Sequence, residues 1–350
     1  MPSKRASQEF SHADWRRHRS IYRHLHHLLT APASGIAKGI FRPVMCVVVL
    51  STLIAAYSHS FAIHCLPHGL PAPPSIAMQP VQLSSFALSL LLVFRTNVSY
   101  ARWLDARRAF GTISTSSQDL ARQALAWFGS DLTSKQRISR WLIAVAKCSM
   151  VHLRDTGCHD LRTELTNVLQ PHELDMLCQA GNKPIFCLQM ISRIIATSGL
   201  DHVLVVHMDE RVTKLYEAFT GCERILNTPI PLSYTRHTAR CLLVWLACLP
   251  FSMWGYCGWA MIPIAALVAS VLLGIEEIGV YIEEPFSILA LEALCSRQQR
   301  TINTLLTEQA FLDELDAQEP QRQAAAASQQ QQQQQQQPAD PALSHPARMA

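Results

Sequence analysis

Two long stretches of the chain carry no Asp, Glu, Lys or Arg: Pro43–Phe94, 52 residues, and Cys241–Ile275, 35 residues. A membrane-crossing helix needs about 20 mainly apolar residues. The first stretch divides in the middle. Val44–Ile63 is one apolar run, Pro67–Pro80 holds five prolines and a glycine, and Val81–Phe94 is apolar again. That density of Pro and Gly predicts a turn or short loop between two helices. The second of these helices is expected to run past Arg95 to about Ala109. The other stretch divides at Gly255 and Gly258 into Cys241–Tyr256 and Trp259–Ile275. Each half is barely long enough to span, so both must borrow residues from their flanks. Pro250 and Pro263 are expected to kink them, which membrane helices tolerate when neighbours satisfy the freed carbonyls. The pattern therefore predicts four transmembrane helices in two hairpins, at about 43–63, 80–100, 238–256 and 259–281.

Between the hairpins the pattern changes. Arg95–Arg240 carries 18 basic and 13 acidic residues. Trp103, Ala106 and Phe110 recur at helical spacing, as do Trp141, Val145 and Cys148, and strand signals are few. Pro171, Gly181-Asn182-Lys183-Pro184 and Gly199 punctuate the segment. The expectation is a water-facing domain of three or four helices over 101–237, and an all-α fold. Residues 1–38 form a basic segment, in which Trp15 to Leu29 looks amphipathic, Arg- and His-rich, and suited to lie at a membrane surface. No apolar run follows quickly enough for a secretory signal. Residues 39–312 make up the main domain. From about Asp313 to Ala350 the chain is rich in Ala, Gln and Pro, with nine consecutive glutamines at Gln329–Gln337, and is expected to be disordered.

Composition agrees with a membrane protein. Apolar residues make up 49% and charged residues 16%, against about 25% charged in a soluble chain. The net charge of +4 lacks the dense basic patch that nucleic-acid binding requires. The eleven cysteines are scattered without a Cys-x-x-Cys pair, which fits neither a zinc ribbon nor a disulfide scaffold. Two hairpins place both termini and the middle domain on one side. Both hairpin loops lack Lys and Arg, so the charged side is the cytoplasm or its equivalent, such as a chloroplast stroma.

Three strings carry more specific information. Phe94-Arg95-Thr96-Asn97-Val98-Ser99-Tyr100-Ala101-Arg102-Trp103 resembles the second-helix signature of the bestrophin family. Cys222-Glu223-Arg224-Ile225-Leu226-Asn227-Thr228-Pro229-Ile230-Pro231-Leu232 is similar to the string before that family's third membrane helix. Ile275-Glu276-Glu277-Ile278-Gly279 with Ile282-Glu283-Glu284-Pro285-Phe286 is similar to its signature around the end of the fourth. Order and spacing match over roughly Trp15 to Thr307, and the plant and algal, thylakoid-membrane branch is the nearest. The resemblance implies a homopentamer in a lipid bilayer, around one axial pore that passes chloride and often bicarbonate. It implies no catalytic residues, no cofactor and no nucleic-acid partner.

Phe86, Leu90 and Phe94 stand four apart and fall on one helical stripe. The spacing by itself is equally that of ordinary core packing. By resemblance the stripe is the neck of the pore, where an apolar constriction controls flow by dewetting and ring edges present positive potential to an anion. Ser85 and Ser89 are candidate pore hydroxyls, or small residues for close helix packing. Arg95, Thr96 and Asn97 are assigned to a vestibule below the neck. A cation there concentrates anions, and the competing role for Arg95 is a salt bridge. Glu276, Glu277, Glu283 and Glu284 form two carboxylate pairs seven residues apart. They are expected to pair with Arg95, Arg102, Arg107 or Arg108 and to fasten the fourth helix to the second.

Animal bestrophins follow Pro-Phe with a run of acidic residues that clasps calcium. Here Pro285-Phe286 is followed by Ser287-Ile288-Leu289-Ala290-Leu291-Glu292. A calcium site needs six to eight oxygens, so calcium-independent conduction, set by voltage, is expected. His24, His26 and His27 form one tight cluster, read as a polar helix face and not as a metal site. The competing classes are a non-conducting membrane scaffold or regulatory subunit of the same fold, and a membrane metalloenzyme. A chloroplast thylakoid location would require a presequence within the few residues before Trp15, or upstream of Met1; another membrane such as the plasma membrane is the alternative.

Overall fold

The structure is a computed structural model that describes residues 11–21, 26, 29–30, 34–63, 71–154 and 160–336, with the side chains of 316 and 321–336 left aside. No strand occurs among the described residues. Helix α1 spans His12–His18. Ser11 caps it in a capping box with Asp14, and the chain leaves the helix at Arg19. Of the surface helix expected from Trp15 to Leu29, residues 15–21, 26 and 29 are described, and His24 and His27 lie outside the described residues.

Helix α2, Gly35–Ala62, starts eight residues before Pro43, with the Ser34 side chain accepting from Ala37 N–H. Helix α3, Met78–Trp127, is one unbroken rod of 50 residues. At 1.5 Å per residue it is about 75 Å long, more than twice the thickness of a bilayer's hydrocarbon core. It does not stop near Ala109, because Phe110, Ile113, Leu120 and Ala124 continue a buried stripe for more than four further turns. The remaining helices of the middle region are α4 (Leu132–Leu153), α5 (Leu161–Leu165), α6 (Pro171–Gln179), α7 (Lys183–Ala196) and α8 (His202–Asn227). The domain therefore holds more helices than expected, two of them shorter than ten residues.

Helix α9, Leu232–Cys257, and α10, Met261–Glu283, are separated by a short 3-10 turn, Gly258–Ala260. Gly258 has φ +51°, which a side chain disfavours, and it is the residue that breaks the apolar stretch. Gly255 lies inside α9. The short α11, Pro285–Ile288, joins α10 to α12, Leu291–Gln336. Disorder was expected from Asp313 onward, yet α12 continues to Gln336, passing through Pro320. Ala and Gln are good helix formers, and a polar run that supplies no core still propagates a helix already nucleated by buried Leu291, Leu294 and Ile302.

Two cores result. One joins α2, α3, α9 and α10 through Val47, Ala55, Leu88, Leu92, Leu246, Ala265, Ala269 and Leu273. At its centre α2 meets α10 through fully buried small residues: Ser51 and Ala55 on one side, Ala265 and Ala269 on the other. Small residues at four-residue spacing let helix backbones approach closely in lipid, where no hydrophobic force draws helices together. The second core joins the lower part of α3 to α4, α7, α8 and α12, around Trp141, Phe110, Phe219, Ile191 and Ile302. Among the described residues three stretches are long and apolar enough to cross a membrane: Gly35–Ala62, Met78–Trp127 and Leu232–Glu283.

Candidate pore helix and its attachment

The upper part of α3 has two unlike faces. Val81, Leu88, Leu92, Arg95 and Ser99 are buried against the bundle. Leu83, Phe86, Leu90, Val93 and Phe94 point away from it, with Phe86 75% and Phe94 53% exposed in the protomer. The bundle thus leaves uncovered the residues that apolar packing would be expected to bury. Phe86, Leu90 and Phe94 share this face, and Asn97, also exposed, continues it.

Arg95 does not follow Phe94 outward. It is only 4% exposed, and its Nη1 lies 2.5 Å from Glu276 Oε1 on α10. At 100° per residue, a step of one position from an outward Phe94 brings Arg95 to the bundle side. The pair locks the rotational setting of α3 where the exposed stripe ends. Arg95 Nε has no hydrogen-bond partner. Of the two roles expected for Arg95, a vestibule cation and a salt bridge, the protein forms the salt bridge, on the side of α3 away from the exposed stripe. Thr96 is half-buried, and its hydroxyl donates to Leu92 O at 2.5 Å.

Ser85 and Ser89 lie to one side of the stripe. With Leu88, Trp245, Leu267, Val268, Val271 and Leu272 they line a cleft of about 340 Å³ between α3, α9 and α10. Their hydroxyls donate to Gln82 O (2.6 Å) and Ser85 O (2.8 Å) of their own helix. Trp245 Nε1 donates to Val81 O at 3.2 Å, so the cleft's indole proton is also taken. Both hydroxyl protons are thus directed to the backbone of α3.

The four carboxylates do not act as one group. Glu276 alone forms the expected ion pair with α3. Glu277 is 100° further round α10 and faces α2, where a Cβ on Gly39 would stand 2.8 Å from Glu277 Cδ. Glu283 contributes its backbone: its carbonyl accepts from Arg102 Nε at 2.9 Å. Glu284 is exposed and leaves helical geometry with φ −100° and ψ 84°. The seven-residue spacing would place Glu277 and Glu284 on one face only if α10 continued, and it ends at Glu283. Arg108 pairs with exposed Asp105 at 3.6 Å and not with α10.

Two arginines whose attachments the sequence did not reveal hold the joint between the two cores. Arg102 donates to the carbonyls of Glu283, Thr228 (2.6 Å) and Ile225, binding the last turn of α8 and the end of α10 to α3. Arg154, at the end of α4, donates to Ser287 O (2.8 Å), Leu289 O (2.9 Å) and the Glu292 carboxylate (2.7 and 2.8 Å). Arg102 lay within a family-like string, but only as one of several Arg candidates for a carboxylate. Arg154 gave no signal, because its partners, two backbone oxygens and the Glu292 carboxylate, lie more than 130 residues away. Among the described residues no group of three or more His, Cys, Asp or Glu could hold a metal ion.

The sequence model of the family described as Bacterial/Fungal Bestrophin protein matches residues 14–304. The chain belongs to the bestrophin family. Among relatives of this bestrophin, "Voltage-dependent chloride channel 2, chloroplastic" of Arabidopsis thaliana is 34% identical over 293 residues, covering 82% of this chain and 70% of the relative. "Voltage-dependent anion channel-forming protein alr2987" of Nostoc sp. is 30% identical over 285 residues, covering 77% and 88%. The fold is also that of a bacterial bestrophin homolog from Klebsiella pneumoniae, with TM-score 0.68 at 21% identity over 77% of this chain and 98% of that one. The α3 stripe and the Arg95–Glu276 pair thus belong to a bestrophin fold.

Proposed function

We propose that this bestrophin is a homopentameric anion channel that crosses the bilayer four times, with α2, the upper part of α3, α9 and α10 as the crossings. The observation that carries the reading is the uncovered stripe Phe86, Leu90 and Phe94 on a helix otherwise packed against its bundle. Placed around a common axis, five such stripes make an apolar neck that dewets unless an ion gives up its water cheaply. Large monovalent anions do so more readily than small cations. Asn97, exposed at the foot of the stripe, supplies an amide donor. Arg95 acts from behind the wall, its charge offset by Glu276, so the neck is not a fixed cationic ring. Chloride is the principal permeant ion, with bicarbonate as a second.

Conduction is calcium-independent in this reading. The oxygens that follow Pro285-Phe286, the carbonyls of Ser287 and Leu289 and the Glu292 carboxylate, are taken up by the Arg154 guanidinium, which leaves them unavailable to a divalent cation. The name of the Arabidopsis relative supports a chloroplast location; the thylakoid membrane is our reading within it, which a fluorescent fusion to the full-length gene would test. Purified protein in a planar bilayer is expected to give current whose reversal potential follows the chloride gradient and is unchanged by a calcium chelator. A reversal potential that follows the cation gradient overturns the channel reading. Leu90→Ala with Phe94→Ala widens the neck and should raise conductance; a non-conducting scaffold would give no current with either form.

A further inference from the structure

The described cysteines include one close pair, and it lies outside everything the pore uses. Cys148 on α4 and Cys187 on α7 face each other in the soluble core, with Sγ–Sγ 3.7 Å. Both are fully buried. Trp141 and Phe186 meet edge to face nearby, from the same two helices. A third thiol, Cys295 on α12, is also buried, but its Sγ donates to Ala146 O at 3.5 Å and so is engaged with backbone. The Cys187 thiol donates to the Cys148 sulfur. The two sulfurs are therefore already aligned on each other, with no other side chain between them.

We propose that Cys148 and Cys187 are a redox modification site, oxidised to an intrachain disulfide by a small, uncharged hydroperoxide. A disulfide needs its sulfurs about 2.05 Å apart, so the pair must close by less than 2 Å. The two helices already pack side by side. The Cys148 sulfur attacks one peroxide oxygen. The O–O bond breaks, the departing oxygen takes the thiol proton and leaves as water or an alcohol, and Cys148 becomes a sulfenic acid. The Cys187 sulfur then attacks that sulfur. The S–O bond breaks, hydroxide leaves with the Cys187 proton as water, and the S–S bond forms. Two electrons pass from the thiol pair to the one peroxide.

Burial sets the selectivity. It closes both sulfurs to a thiol-disulfide protein, whose disulfide would have to reach the attacking sulfur in bulk, and it pushes the Cys187 thiol well above its ordinary range, which keeps the reaction with any oxidant slow. A neutral molecule little larger than water can enter as the helices breathe. The product joins α4 to α7 across the core on which the lower half of α3 rests.

The test uses the full chain in detergent micelles, exposed to hydrogen peroxide, quenched, alkylated under denaturing conditions and mapped by mass spectrometry. The expected result is a linked peptide pair containing Cys148 and Cys187, reversed by dithiothreitol, with a higher thermal midpoint before reversal. In Cys187→Ala the link is lost and a sulfenic acid is trapped on Cys148 by a cyclic dione. Recovery of both cysteines as free thiols while the more accessible Cys178 is oxidised overturns the proposal, as does a link from either to Cys295. The wild-type map decides the matter even where the variant fails to fold.

Discussion

Arg95 and Phe94 are neighbours in the chain with opposite fates, and the difference is a matter of degrees around one helix. Phe94 faces out and Arg95 is buried on Glu276 at 2.5 Å. Breaking a buried pair leaves a charge without compensation, which costs about 3–5 kcal/mol. Arg95→Ala is therefore expected to lower the thermal midpoint in detergent sharply. Replacing both members by apolar residues of similar size (Arg95→Met with Glu276→Leu) should cost much less. A double variant as unstable as the single one would mean the pair contributes more than charge neutralisation. Arg102 offers a second case. It holds three backbone carbonyls from two helix ends. A hydrogen bond from a charged donor contributes about 1.5–3 kcal/mol, and Arg102→Lys cannot reproduce the planar fork. The lysine variant should show a lower midpoint and faster hydrogen exchange at the end of α8. Unchanged exchange there would remove the capping role.

Among the elements, α12 is the one whose reach exceeds its composition. Its first turns are anchored by Leu291, Leu294 and Ile302, and further along Asp313 meets Lys135 of α4 at 3.4 Å. Lys135 is almost wholly buried while Asp313 is half exposed. The Asp313 carboxyl is held below its ordinary range, first by the Gln309 amide and then by Lys135. A depressed folded-state value means the contribution is fully present above the ordinary aspartate range and is lost as pH falls through the folded value. Asp313→Asn should thus be less stable than wild type at neutral pH, with the difference shrinking toward zero as pH drops below about 3.9. A difference constant from pH 7 to pH 3 would show that charge plays no part. Truncation before Asp313 should act in the same direction, because it leaves the Lys135 ammonium buried without that counter-charge.

At the scale of the whole molecule, the protomer is two cores threaded by one rod. The proposed assembly follows from what the membrane core leaves open: an apolar α3 face beside a cleft lined by Ser85, Ser89, Trp245 and Val271. Cyclic symmetry closes such a face against copies of itself. Native mass measurement in detergent should give five times the 39.1 kDa of one chain. A monomer that still conducts would dismiss the common axis.

The sequence alone determined where the chain is apolar for long enough to cross a bilayer, that the rest is helical, and which family strings it carries. These are properties of local pattern, and composition and periodicity record them directly. The tertiary structure decided the rest. It set which face of α3 is uncovered, since Phe86, Leu90 and Phe94 have a spacing that fits a core equally well. It turned Ser85 and Ser89 onto their own backbone and sent Glu276 and Glu277 to different helices, because adjacent residues on a helix point 100° apart. It also found the work of Arg102 and Arg154, most of whose partners are main-chain oxygens. Every residue has a carbonyl, so no pattern of side chains announces which ones a distant guanidinium will hold.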